Sequence, residues 1–489
     1  MTNFNNRNSR QNNTFSRRDF LKTGALSGMA LGSGVLLNGC SSTNGRTHPG
    51  DAKNIIFMVS DGMSNGTLTA ADHMLRRNFG RASQWISCYE ENRLTRGLMD
   101  MASASSIVTD SAAASCSWGC GQRLVNGRIN MTEDEIALKT ILEIFRDAGK
   151  ATGLATTTTL THATPAGFSA NVMSRNDEPI IATQYLERGY DVLLGGGNRF
   201  FDPTLRDDGR NLYDEFAQTG YHVVRQKEAM QRFNGDEKLL GIFFDGHLPY
   251  TLDHQNTSDY RRDIPTLTEM TQAAINRLSK NENGFILQVE GGRVDHAAHS
   301  NDVSGLIYDQ IAFDDTITAV LEFAEGRDDT LVIVTTDHGN ANPGLNGVGS
   351  NYSNSEPNFD RISEFRHTNN WLMPQLNANS SINEIRELVE YATRIEIRRD
   401  EAGILQRSLA GEYENLHRLM SSPYQVLGQI LANYVAFNFI GGSHTADYVE
   451  LSAMGPGSEQ LGPITRNTDL FELMVEMGGV QVYMEDRKA

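Results

Sequence analysis

Three largely apolar runs of this chain end in an acidic side chain, and this pattern most constrains the possible fold. The runs at residues 54–60, 284–289 and 331–336 are followed at once by Asp61, Glu290 and Asp337. Apolar runs of this length are typical of strands that are buried on both faces of a parallel sheet. Such sheets place their functional side chains beyond the carboxyl ends of the strands. The sequence therefore predicts an α/β fold with carboxylates at that edge of a mostly parallel sheet.

The residues after Glu290 suggest a metal site. Gly291 and Gly292 allow a tight turn, and Asp295 and His299 then stand four positions apart. Residues at that spacing share one face of a helical turn, where a carboxylate and an imidazole can bind one divalent ion. A solvated helix start that is capped by an aspartate fits the same residues. This stretch alone leaves both readings open.

Two further positions combine a polar side chain with a helix start. Asp61 is followed by glycine, which fits either a ligand at a strand end or an N-cap. Ser111 is followed by alanines, which fits either a capping serine or a nucleophile at a helix N-terminus, where backbone amides favour phosphate. Thr109 and Asp110 before it differ from the G-x-S-x-G elbow, so a serine for acyl transfer is not predicted.

The N-terminal segment has the pattern of an export signal. Residues 16–22 read SRRDFLK, a twin-arginine pattern, and a weakly apolar run follows over residues 23–37. That run is shorter than the roughly 20 apolar residues that a membrane-spanning helix needs. We therefore predict a twin-arginine signal peptide over residues 1–40 and a polar linker over residues 41–53.

Residues 36–41 read LLNGCS and resemble a bacterial lipobox, in which the cysteine is lipidated. Lipidation of Cys40 would attach the mature protein to a membrane. Asn38 departs from the small or apolar residue that is usual there. Cleavage nearby without lipidation is the alternative. The expected location is therefore the periplasm or the cell surface, with or without a lipid anchor.

The net charge limits the possible partners, and the cysteine content limits the possible disulfides. The formal net charge of −18 argues against nucleic acid as a partner. Beyond Cys40 there remain Cys88, Cys116 and Cys120, an odd number in an exported chain. Cys116 and Cys120 lie four apart in a predicted helix. We therefore expect free buried thiols and no disulfide framework.

The order of the motifs resembles that of the alkaline phosphatases. Asp61-Gly62 comes first, then Asp110-Ser111-Ala112, and then the Glu290 to His299 stretch. The resemblance covers about residues 54–340 and resumes from residue 441. It implies one catalytic domain over residues 54–489, built as a three-layer α/β/α sandwich around a mostly parallel central sheet. Residues 341–440 would then be a loop-rich and helical insertion, similar to the crown of the family, and a homodimer is expected.

The resemblance also implies a site with two zinc ions and one magnesium ion. One zinc ion would be bound by Asp295, His299 and His444, and the other by Asp61, Asp337 and His338. The magnesium ion would be bound by Asp61, Thr164 and Glu290. Mixed nitrogen and oxygen ligands suit zinc, and an oxygen-rich site suits magnesium. His162 lies near the third site, and its imidazole would also tolerate zinc there.

The remaining matched residues would act on the substrate. Ser111 matches the nucleophile that becomes phosphoserine, and Arg175 matches the arginine that holds the phosphate. His162 and His296 match substrate-binding positions that vary within the family. The implied function is hydrolysis of phosphate monoesters. A phosphodiesterase, a sulfatase of the same superfamily and a non-catalytic anchored binding lipoprotein are the alternatives.

Several scaffold features follow from periodicity alone. Apolar spacing predicts helices over residues 266–278 and 303–323, and over residues 382–391 and 424–437 of the insertion. The aspartates of the second helix are expected on its solvent face: Asp309, Asp314 and Asp315. His367 is expected at the surface of the insertion. Residues 191–197 are assigned to a strand and turn of the scaffold.

Overall fold

The computed structural model describes residues 47–350 and 352–482. The predicted signal peptide, with its twin arginines and Cys40, lies outside these residues. Within the described part of the chain, every helix is too short or too polar to cross a membrane.

The centre of the protein is a sheet of ten strands among the described residues, in the order β14-β2-β13-β8-β1-β7-β3-β4-β6-β5. The strands of the chain are β1 (Asn54–Val59), β2 (Thr95–Asp100), β3 (Ala151–Thr159), β4 (Val192–Gly196), β5 (Tyr221–Val224), β6 (Lys238–Ile242), β7 (Phe285–Glu290), β8 (Thr330–Thr335), β9 (Gly339–Asn340), β10 (Gly344–Leu345), β11 (Phe437–Asn438), β12 (His444–Thr445), β13 (Val449–Met454) and β14 (Ile464–Arg466). Strand β13 pairs antiparallel with both of its neighbours, and the other pairs in this sheet are parallel. The predicted mostly parallel sheet is confirmed.

Helices cover both faces of the sheet. They are α1 (Asn65–Met74), α2 (Gln84–Glu90), α3 (Ser111–Gly119), α4 (Ile141–Asp147), α5 (Ala163–Gly167), α6 (Glu178–Arg188), α7 (Leu212–Gln218), α8 (Lys227–Arg232), α9 (Thr251–Asn256), α10 (Ser258–Asp263), α11 (Leu267–Leu278), α12 (Arg293–His299), α13 (Val303–Ala324), α14 (Ser355–Asp360), α15 (Asn369–Leu372), α16 (Ile382–Thr393), α17 (Arg399–Leu409), α18 (Pro423–Val435) and α19 (Asp469–Met477). Leu75–Phe79 continues α1 as a π-helical segment. Short 3-10 turns lie at Asn198–Phe200, Tyr352–Asn354, Arg361–Glu364, Met373–Gln375, Arg418–Met420 and Ser458–Gln460.

Alternation along β1 divides the core into two layers. Ile56 and Met58 pack into one apolar cluster with side chains of α1, α2, α11, α12 and α13 and of residues 341–440. Ile55, Phe57 and Val59 pack into a second cluster with side chains of α3, α4, α6, α7 and α19. Successive side chains of a strand point to opposite faces, so a strand that is apolar throughout must be covered twice. The predicted three-layer α/β/α sandwich is therefore confirmed.

The register of the central strands brings the predicted carboxylates to one level. Val59 of β1 stands opposite Glu290 of β7 on one side and Thr335 of β8 on the other. Because all three strands are parallel, the residues that follow them leave the sheet at the same edge. Asp61 and Asp337 each come two positions after their strands end.

The predicted helices are present, but the expected solvent face of α13 is wrong at two positions. Asp309 and Asp314 are buried, and Asp315 is exposed as predicted. Asp309 accepts a hydrogen bond from the Thr251 amide at the start of α9. Asp314 accepts hydrogen bonds from the amides of Gln84 and Trp85 at the start of α2. Helix starts leave amide groups without intrahelical partners, and these carboxylates satisfy them.

His367 is also placed differently from its predicted surface position. The side chain is buried, with its Nδ1 3.1 Å from Asp253 Oδ1. Its ring stacks on Trp371 with 3.8 Å between the ring centroids. The three cysteines of the described residues, Cys88, Cys116 and Cys120, are free and buried, as predicted.

Candidate active site

The carboxyl edge of the sheet gathers the predicted site residues. Asp61 follows β1, Glu290 ends β7, and Asp337 and His338 follow β8. Helix α12 carries Asp295, His296 and His299, and helix α3 begins at Ser111. His444 reaches the same edge because β12 pairs antiparallel with β9, with His444 opposite Asn340.

Asp61, Asp337 and His338 form the first candidate metal group. Their ligand atoms lie within 4.8 Å of one another, and all three side chains are fully buried. His338 Nε2 lies 3.1 Å from Asp337 Oδ2 and 3.6 Å from Asp61 Oδ1. The Gly62 amide donates to Asp337 Oδ1 at 2.9 Å and so fixes the orientation of that carboxylate.

Asp295, His299 and His444 form the second candidate group. His299 Nε2 lies 3.3 Å from Asp295 Oδ2, and His444 Nε2 lies 3.7 Å from Asp295 Oδ1. The two Nε2 atoms are 3.1 Å apart. His299 Nδ1 bonds Gly442 O at 2.8 Å, and His444 Nδ1 bonds Thr109 O at 2.9 Å. A carbonyl only accepts, so both Nδ1 atoms carry a proton, and the Nε2 atoms of both rings face Asp295.

A third group surrounds Glu290. Ligand atoms of Asp61, His162 and Glu290 lie within 4.8 Å of one another. Thr164 Oγ1 donates to Asp61 Oδ2 at 3.3 Å. Thr158 Oγ1 donates to Glu290 Oε2 at 3.2 Å, and Thr156 Oγ1 donates to the same oxygen. The predicted oxygen ligands are therefore together, and an imidazole lies beside them.

The electrostatics of these groups favour a bound cation. Burial raises the pKa of Asp61 well above its usual range, and the Asp337 carboxylate adds to the rise. Burial also raises the pKa of Glu290 to about 7. Asp61 Oδ1, Glu290 Oε1 and Asp337 Oδ2 are buried acceptors that receive no hydrogen bond from the described residues. Buried anions without donors are costly unless a cation compensates them, so the residues fit a metal cluster.

Ser111 stands beside the first metal group. Its Oγ lies 3.3 Å from His338 Nε2, and it is the first residue of α3. Asp110 caps that helix, since its Oδ1 accepts from the Ala113 amide at 2.9 Å. Asp110 Oδ2 accepts from Arg175 Nη1 at 3.1 Å. The cap therefore holds both the hydroxyl and the guanidinium at the helix N-terminus.

The predicted substrate-binding histidines contact arginines. His162 Nε2 lies 3.2 Å from Arg175 Nη2. His296 Nδ1 lies 2.8 Å from Arg293 Nη1. The structure thus brings together all twelve residues that the sequence analysis assigned to the site: Ser111, Arg175, His162, His296, Asp61, Thr164, Glu290, Asp295, His299, Asp337, His338 and His444.

Asn340 and His247 are among the residues of the site that the sequence did not reveal. Asn340 Nδ2 donates to Asp295 Oδ1 at 2.7 Å, and its position three residues after Asp337 is a signal that could have revealed it. His247 lies against His296, with 4.4 Å between the ring centroids. His247 is not part of any local motif, and only the fold brings it to the site.

The sequence also matches the model of a known protein family. The family model described as "Alkaline phosphatase" matches residues 52–480 of the chain. The chain belongs to the alkaline phosphatase family. Enzymes of this family are phosphomonoester hydrolases, and the chain is an enzyme of that class.

Individual relatives agree with this assignment to the alkaline phosphatases. The chain is 31% identical over 431 residues to alkaline phosphatase 4 of Bacillus subtilis, which covers 86% of this chain and 87% of that protein. It is 32% identical over 363 residues to streptomycin-6-phosphate phosphatase of Streptomyces griseus, which covers 65% of this chain and 81% of that protein. The crystal structure of Thermus thermophilus alkaline phosphatase matches with a TM-score of 0.84 and 34% identity, covering 92% of this chain and 98% of that one.

Proposed function

We propose that this enzyme hydrolyses phosphate monoesters in two steps, through a phosphoserine at Ser111, with two zinc ions and one magnesium ion in its carboxylate cluster. The observation that carries the proposal is the position of Ser111 Oγ. It lies at the N-terminus of α3 and 3.3 Å from His338 Nε2, beside the first metal group.

The donor set suits the proposed ions. One zinc ion would be bound by Asp295, His299 and His444, and the other by Asp61, Asp337 and His338. Magnesium would be bound by Asp61, Thr164 and Glu290, with His162 close enough to take part. When bound, such ions neutralise phosphate charge and lower the pKa of a hydroxyl group or water molecule.

The protein groups around Ser111 would hold the phosphoryl group for transfer. The first amides of α3 and the helix dipole favour an anion beside the hydroxyl. Arg175 offers a planar fork whose orientation is set by Asp110 and His162, which suits binding of two phosphate oxygens. Ser111 Oγ would attack phosphorus, and the ester oxygen would leave. Water would then attack the phosphoserine and release phosphate and the free hydroxyl.

The decisive variant is Ser111→Ala. We expect turnover of 4-nitrophenyl phosphate to fall by about 10³-fold or more, because the attacking oxygen is removed. Inorganic phosphate should still bind, since the arginine and the ligands remain. Ser117→Ala is the matched control on the same helix, because the Ser117 hydroxyl donates to Ala114 O and lies outside the site.

The choice of substrate distinguishes the proposed phosphomonoesterase activity from phosphodiesterase and sulfatase activity. The wild-type enzyme should prefer 4-nitrophenyl phosphate over bis(4-nitrophenyl) phosphate and 4-nitrophenyl sulfate. A preference for the diester or the sulfate would contradict the monoesterase assignment. Full activity of the Ser111→Ala variant would contradict the phosphoserine step.

A further inference from the structure

The loop of residues 246–250, which follows β6, lies across the carboxyl ends of β3 and β4. Gly246 O accepts a hydrogen bond from the Gly197 amide at 2.8 Å, and the Leu248 amide donates to Thr157 O at 2.9 Å. Between them, His247 Nδ1 accepts from the Thr159 amide at 3.0 Å. An amide nitrogen can only donate, so the His247 proton is on Nε2. The backbone of β3 therefore fixes both the position and the tautomer of His247.

The fixed ring of His247 contacts two histidines of the site. Its centroid lies 4.4 Å from that of His296, with an interplanar angle of 55°. It lies 5.6 Å from that of His162, at an angle of 89°. The rings of His162 and His296 are 5.5 Å apart. The His296 imidazole therefore packs against a ring that is itself held in place.

The other edge of His296 is held by an arginine. Arg293 Nη1 lies 2.8 Å from His296 Nδ1, and because a guanidinium cannot accept, the His296 proton is on Nε2. The Arg293 guanidinium lies 3.8 Å above the Tyr250 ring, a cation–π contact. Tyr250 belongs to the same loop as His247. One loop thus supports His296 directly through a ring and indirectly through an arginine.

This support matters because the terminal torsion of a histidine side chain has a broad energy profile. A ring that must be immobilised when substrate binds lowers the affinity, and a ring that is already fixed does not. In His296, the Nε2–H is the donor that remains after Arg293 has used Nδ1. The hydrogen bond from Arg293 and the contact with His247 together hold the ring and so set the direction of this donor.

We propose that His247 is a positioning residue for substrate binding, which holds the His296 imidazole so that its Nε2–H faces the phosphate of the ester. The inference rests on the proposed function and on the match of His296 to a substrate-binding position of the family. It adds a residue and a loop to the substrate-binding apparatus of this chain.

The test is a double-mutant cycle with His247→Asn and His296→Ala. Asparagine keeps an acceptor for the Thr159 amide and removes the ring. In the wild-type background, H247N should raise the KM for 4-nitrophenyl phosphate and the inhibition constant of inorganic phosphate by about threefold to tenfold, with kcat reduced less than about twofold. In the H296A background, the same change should alter both constants less than about twofold, because the residue to be positioned is gone.

Matched variants separate positioning from general stability. His254→Gln changes a partly buried histidine of α9 whose Nε2 lies 2.9 Å from Ile264 O, outside the site, and should leave both constants at wild-type values. His247→Gln, which also lacks the ring, should reproduce H247N. Equal changes in the wild-type and H296A backgrounds would overturn the proposal, as would unchanged constants in H247N. Either result would leave the Ser111→Ala outcome, and with it the proposed function, untouched.

Discussion

At the scale of single residues, buried carboxylates outside the site act as acceptors for helix amides. Asp302 caps α13 through the Gly305 amide at 2.9 Å and also accepts from the Asn369 amide at 2.6 Å. Asp309 accepts from the Thr251 amide at 3.0 Å. Burial raises the pKa of Asp302 to about 6 and that of Asp309 to about 7. These acids therefore bind a proton more tightly in the folded protein than in the unfolded chain.

The raised pKa of Asp309 gives the stability a pH dependence with a defined sign. Between about pH 4 and pH 7 the unfolded carboxyl loses its proton first, so the free energy of unfolding falls as pH rises. Asp309→Asn removes this loss and keeps an acceptor for the Thr251 amide. Relative to wild type, the variant should therefore gain stability between pH 5 and pH 8, by at most about 3 kcal/mol.

Urea unfolding of both proteins at pH 5 and pH 8 measures this change. Glu322→Gln, an exposed position of the same helix, is the control and should keep the wild-type pH dependence. An Asp309→Asn variant with the wild-type pH dependence would show that Asp309 is ionised in the folded protein at both pH values.

The site residues differ in how far local sequence could reveal them. Asp61, Glu290 and Asp337 could be placed because each follows an apolar strand, and parallel strands end at one edge. The sequence could not predict that Asp309 accepts a hydrogen bond from another helix or that His247 supports His296. Both depend on segments that only the folded chain brings together, and helical periodicity does not show which polar positions cover the start of another helix.

At the scale of elements, helix α18 supports the C-terminal end of α12. Gln425 Nε2 donates to His299 O at 3.1 Å. Gly428 packs so closely that a Cβ atom there would lie 2.4 Å from Asn301 O. The sequence predicted this helix from its apolar spacing. Its close approach to the residues after α12 requires a glycine at position 428, and apolar spacing does not reveal that requirement.

A pair of glycine substitutions tests this contact. Gly428→Ala should lower the free energy of unfolding by about 1–3 kcal/mol, because the methyl group forces α18 away from the Asn301 backbone. Gly403→Ala in α17 should raise it by about 0.5–1 kcal/mol, because alanine favours a helix and no atom lies closer than 4.0 Å to the added Cβ. Thermal or urea unfolding of the two variants measures both changes. A Gly428→Ala variant as stable as Gly403→Ala would contradict the close packing.

At the scale of the whole molecule, the stability of the fold depends on the negative charge that is buried in the site. The buried carboxylates of the site converge at the sheet edge: Asp61, Glu290, Asp295 and Asp337. Any ion that binds only the folded state stabilises it by mass action. We therefore expect chelation to lower the thermal unfolding midpoint by about 5 °C or more and to abolish turnover together.

Adding zinc and magnesium back should restore the unfolding midpoint and the turnover in parallel. Chelator that is saturated with zinc beforehand is the control and should change neither. An unchanged midpoint and full activity after exhaustive chelation would contradict a metal cluster at the sheet edge.

The two short ladders, β9 with β12 and β10 with β11, carry a further consequence. The chain leaves the sheet edge at β9 and returns at β12, where Asn340 and His444 stand side by side, and β10 and β11 pair just beyond them. The two antiparallel pairings form a stem in which backbone hydrogen bonds hold the outgoing and returning chains in register. The chain between β10 and β11 can therefore change in length without moving His444, so the outer part of this segment and the candidate metal group can vary independently.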